Sequence, residues 1–228
     1  MVTKLPSPND NALTSYITLR RLVGFFGITL PFVLPIGTWI RSGTIFESSL
    51  SAYYYTEMRD VFVGTMWAFG VFLLAYQFGT FDNWLGNVAG VSAIIAALFP
   101  TAPDLDATGW TFGAGVVHYV FAAAFFICLA IFALFRFRQR RWNEPPKKDR
   151  TAVYLFCGWT IVVCLVLSVV KFLLDINGLD SGWLGGISLF WLESVAIVAF
   201  GVSWFVTGTE LFPREDAPAP HAEEQAVG

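Results

Sequence analysis

Six apolar runs of bilayer-crossing length constrain this chain more than any other feature. They lie at about 22–40, 60–79, 84–100, 115–136, 152–174 and 184–207. A helix needs roughly 20 apolar residues to cross a hydrocarbon core about 30 Å thick. The runs are continuous rather than alternating, which excludes a transmembrane barrel. In lipid, backbone polar groups must be satisfied internally, and a helix does this within one segment. The expected fold is therefore all-α: a polytopic membrane protein with six transmembrane helices in one bundle over residues 20–208. A polar segment, 1–19, precedes the bundle, and an acidic Ala/Pro-rich tail, 209–228, follows it. The tail's composition predicts disorder.

Composition agrees. Charged residues make up 14% of the chain, against about a quarter in soluble domains, so most of the surface is expected to face lipid. Phe is abundant, as on lipid-facing surfaces, and Trp and Tyr suit the membrane interfaces. The first run follows about twenty polar residues and is long enough to read as an uncleaved anchor. Cys128, Cys157 and Cys164 lie within apolar runs without CxxC spacing and read as packing residues.

Orientation follows from Lys and Arg in the short loops. Arg136, Arg138, Arg140, Arg141, Lys147, Lys148 and Arg150 mark the loop after the fourth run as cytoplasmic. That basic segment is too short and isolated to argue for nucleic acid. Alternation then puts both termini in the cytoplasm, with Arg20 and Arg21 on the same side. Asp104, Asp106, Asp175 and Asp180 fall in outer loops; Arg41 and Arg59 dissent. The expected location is the cell (inner) membrane, multi-pass. Pro31 and Pro35 predict a kink in the first helix. Gly86 and Gly90, at GxxxG spacing, predict close helix packing.

The segment Phe46–Gly64, FESSLSAYYYTEMRDVFVG, gathers serines, tyrosines and charges at the outer end of the second run. Ionisable groups within spans are costly and often mark function. Here they are Asp60 at the start of the second run, His118 in the fourth, Lys171 in the fifth and Glu193 in the sixth, all in the outer half of the expected topology. This depth predicts one outward-facing polar and aromatic pocket lined by Ser49, Ser51, Tyr54, Arg59, Asp60, His118, Lys171, Trp191 and Glu193. Local roles stay open beside it. Asp60 suits a helix N-terminus, His118 a neutral buried ring bonded to a carbonyl, Lys171 can snorkel or pair with Asp175, and Tyr53, Tyr54 and Tyr55 suit an interfacial belt.

The segments SLSAYYYTEMRDVFVG, AGVSAIIAALFPT, HYVFAAAFF and FWLESVAIVAFGVSWFVTG resemble an uncharacterised bacterial family of six-span membrane proteins, over about 20–208. That resemblance implies a shared fold and no known activity. More distantly, a serine (Ser49 or Ser51) some ten residues before Asp60 is similar to the membrane hydrolases that include alkaline ceramidases, hemolysin III and adiponectin-type receptors. Those proteins bind zinc through histidines and usually have seven spans. This chain has only His118 within a span, and Glu193 stands where a histidine would be wanted.

The leading expectation is binding of a membrane lipid or other amphiphile, with no cofactor. An intramembrane hydrolase is the alternative. It would take Asp60, His118 and Glu193 as acid/base groups or, through the resemblance, as zinc ligands. A proton-coupled transporter using Glu193 and a structural subunit of a larger membrane complex are the remaining readings. No HExxH, GxSxG or Walker-type motif is present.

Overall fold

The computed structural model describes residues 8–76, 79–102, 108–136, 148–179 and 187–209. The tail from 210, the stretch Arg138 to Lys147 of the basic loop, and Asp104, Asp106 and Asp180 lie outside the described residues. Among those described there is no strand. The described residues form six α-helices, in order α1 (Pro8–Ser42), α2 (Arg59–Leu74), α3 (Thr80–Leu98), α4 (Gly109–Ile131), α5 (Lys148–Ile176) and α6 (Leu189–Thr209). A 3₁₀ turn, Ser51–Tyr55, precedes α2, and a π-helical turn, Phe132–Arg136, extends α4.

Among the described residues five helices are long and apolar enough to cross a membrane: Ile17–Ser42, Thr80–Leu98, Gly109–Arg136, Thr151–Ile176 and Leu189–Gly208. The protein is thus a membrane-embedded helical bundle. The second helix is shorter than the expected run, at 16 residues. It rises about 24 Å, against a core of about 30 Å. It stops because Tyr76 turns inward. The Tyr76 ring is fully buried, 5.0 Å from Trp204 and 5.7 Å from Phe132. Gly79, at φ +143°, then redirects the chain into α3.

Sequential neighbours pack together from α2 through α6, and α1 closes the ring between α6 and α2. Phe69, Phe125, Phe200, Phe132 and Trp204 fill the centre with stacked, tilted and edge-on ring contacts at 5.7–6.3 Å. Lipid gives helices no hydrophobic reason to associate, so close backbone packing carries much of the affinity. A Cβ on Gly201 of α6 would stand 2.7 Å from the Gly24 carbonyl of α1. A Cβ on Gly90 of α3 would stand 2.6 Å from the Gly70 carbonyl of α2. The Gly86–Gly90 spacing serves this second crossing.

α1 runs through Pro31 and Pro35 without interruption. The three cysteines are free and buried. At one end of the bundle Arg20, only 2% exposed, donates to the Tyr76 hydroxyl at 3.1 Å. The Tyr76 and Trp204 rings lie 5.3 and 5.5 Å from its guanidinium. Asp82 in the first turn of α3 pairs with Arg136 at the same end. Arg20 and Arg136 therefore share one end of the bundle, as alternation of the helices requires.

Candidate functional site

The opposite end of the bundle is built around residues 43–58. Gly43, at φ +78°, ends α1 by donating to the Trp39 carbonyl at 3.0 Å. The serine-rich sequence then folds on itself. Ser49 Oγ accepts the Ala52 amide at 3.0 Å and lies 3.0 Å from Ser51 Oγ, which sets the 3₁₀ turn. Thr56 turns the chain towards α2 by accepting the Met58 amide on its hydroxyl at 3.1 Å.

This segment is tied to α6 by polar contacts. The Ser48 carbonyl accepts the Phe190 amide at 3.0 Å and the Ser188 hydroxyl at 2.7 Å. Glu193 Oε2 accepts the Leu50 amide at 2.7 Å. The 3₁₀ turn has no side-chain cap of its own at Leu50. Glu193 supplies one from a helix 143 positions away in sequence. Aromatic contacts add to the tie. The Phe46 ring lies 5.2 Å from Phe190 and 5.1 Å from Trp191. Tyr53 is fully buried and donates to the Ile45 carbonyl at 2.9 Å. Burial pushes its phenol up to about 12. Tyr55 donates to the Thr101 carbonyl at 2.7 Å, and its phenol is also raised by burial.

His118 is held from α3. Its Nδ1 lies 2.8 Å from the Ala96 carbonyl and 2.9 Å from the Phe99 carbonyl. Both are acceptors only, so Nδ1 carries the proton and Nε2 is the acceptor in the neutral ring. His118, Glu193 and Ser51 line one cavity of about 40 Å³, closed otherwise by apolar side chains such as Leu30, Phe62 and Ile197. A water needs at least 10–15 Å³ of such space, so this cavity suits a few waters and not a lipid.

The other candidates lie elsewhere. Asp60 is exposed in the first turn of α2, where a carboxylate meets the positive end of the helix. Arg59 donates to the Tyr54 hydroxyl at 2.7 Å, with its guanidinium 4.3 Å from that ring. Lys171 pairs with Asp175 at 3.4 Å, one turn along α5. Ser49 is occupied in the 3₁₀ turn. Among the described residues no three His, Cys, Asp or Glu side chains converge as metal ligands, and Asp60 does not line the cavity of His118 and Glu193.

A space of lipid size lies on another face. A groove of about 1140 Å³ runs between α1, α5 and α6. Pro31, Pro35 and Trp39 form one wall, Val153 and Phe156 another, and α6 from Phe190 to Val202 its floor. Ile45 and Phe46 reach over its upper end. Trp191 was the one predicted site residue that faces this groove. Sequence reading missed the groove because an apolar helix face in a membrane looks the same whether it meets lipid, protein or a cleft. It also missed Asp82, whose position one turn ahead of an apolar run and near the basic loop was the available signal.

The chain matches no family model, no curated protein and no solved structure.

Proposed function

We propose that the protein is a six-span integral protein of the cell membrane, with both termini cytoplasmic, that binds a lipid or other amphiphile from the outer leaflet. The groove between α1, α5 and α6 is the observation that carries this reading. The thirteen-residue run from Phe190 to Val202 corresponds to about 18 Å of rise, long enough to accompany an acyl chain through more than half of a core about 30 Å thick. The polar Ser48–Ser188 contact and the Phe46 and Trp191 rings stand at its upper end, where a headgroup meets the aromatic belt. Ile45 and Phe46 then act as a roof over the upper end of the groove, in a segment that the Glu193–Leu50 bond fixes on α6. Native mass spectrometry of the purified chain tests this. Wild type retains lipid, and the groove-filling variant Ala152→Trp/Val195→Trp, at two exposed positions of the lining, retains less. Lipid-free wild type, or equal retention by the variant, overturns the reading.

A further inference from the structure

The groove is almost wholly apolar, yet Ser194 stands in its floor with 6% of its surface exposed and no hydrogen-bond partner for Oγ. Several helical hydroxyls among the described residues satisfy themselves on the carbonyl one turn back. Thr29 donates to Phe25, Thr38 to Leu34, Ser168 to Cys164 and Thr207 to Ser203, at 2.7–3.1 Å. Ser194 does not. A buried hydroxyl without a partner is costly, and in hydrocarbon no water relieves it.

The depth of Ser194 indicates which group would relieve it. Five residues separate it from Leu189, where α6 begins. That is about 7.5 Å of helical rise. The polar and headgroup layer on each side of a bilayer is roughly 5–8 Å thick. A headgroup at the level of the Ser48–Ser188 contact therefore places the ester linkages of a glycerolipid near Ser194.

Resting on the groove as the lipid site, we propose that Ser194 selects acyl-ester glycerolipids by donating its hydroxyl to an ester carbonyl. Rotation about χ1, the side chain's only heavy-atom torsion, turns Oγ from its shielded position to the bound lipid. An ether-linked lipid of the same shape has no carbonyl to accept this bond. Thr160 on α5 adds a second hydroxyl-bearing side chain to the same groove.

The test offers the full chain equal amounts of a diester phosphatidylcholine and its diether analogue with the same chains and headgroup, and reads the bound ratio by native mass spectrometry. Wild type retains the diester about threefold over the diether, the scale of one interhelical hydrogen bond in a membrane. Ser194→Ala, which a helix accommodates readily, retains both lipids at a ratio near one. Ser194→Thr keeps the hydroxyl and keeps the preference. A ratio near one in wild type, or an undiminished preference in Ser194→Ala, overturns the ester assignment while leaving the groove as a lipid site. Retention of neither lipid by wild type overturns both.

Discussion

Glu193 and Leu50 are joined by a 2.7 Å hydrogen bond from the Leu50 amide to a carboxylate oxygen of α6. The bond caps the 3₁₀ turn of segment 43–58 and fixes that segment on the helix forming the groove floor. Removing the acceptor leaves the Leu50 amide unpaired. Glu193→Ala should cost roughly 1–3 kcal/mol, and Glu193→Gln, which keeps an acceptor, clearly less. Thermal unfolding in detergent checks the order. Hydrogen exchange at Leu50 should quicken in the alanine variant, and unchanged exchange would show that the bond is not holding the segment.

The α1–α6 crossing depends on the absence of a side chain at Gly201. Gly201→Val should destabilise the bundle by about 1–3 kcal/mol or more, because a Cβ there meets the Gly24 carbonyl and the Ile28 amide at 2.7 Å. Gly64→Ala is the matched control. A Cβ on Gly64 meets nothing within 4 Å, so the change should be neutral or stabilising through helix propensity. Melting temperatures of the two variants decide it, and equal losses would contradict the packing argument.

Asp82 is buried at the other end of the bundle, whereas Arg136 keeps 25% of its side chain exposed. Asp82→Ala should therefore cost less than the roughly 3–5 kcal/mol of breaking a fully buried pair, yet more than a surface pair. Arg136→Met added to Asp82→Ala should recover part of the loss. A double-mutant cycle in unfolding free energy measures the coupling, and additive losses would argue against the pair.

Tyr53 predicts an alkaline limit. Its folded phenol titrates near 12, against about 10 in the unfolded chain. Between these values the folded state binds the extra proton, so stability is intact below pH 10 and declines as pH rises toward 12. Tyr53→Phe should flatten that decline while losing the bond to the Ile45 carbonyl. The slope of melting temperature between pH 9 and 11.5 is the measurement, with an identical slope in the variant as the contrary result.

The amino-acid sequence by itself determined the helical membrane architecture. Long uninterrupted apolar runs leave the backbone no way but the helix to satisfy its hydrogen bonds in lipid. It also marked His118 and Glu193, because ionisable groups are rare and conspicuous at membrane depth. The tertiary structure decided what those groups touch. Glu193 reaches a backbone amide 143 positions away and His118 the Ala96 and Phe99 carbonyls at the end of α3, and none of these bonds leaves a periodic trace in the sequence. Asp60 and Lys171 found local partners instead, since a helix end and a carboxylate one turn away satisfy a charge at little entropic cost. The groove, too, exists only in three dimensions. Apolar side chains read alike on every face of a membrane helix, and only the packing of α1 and α5 around α6 leaves one face open beside Ser194.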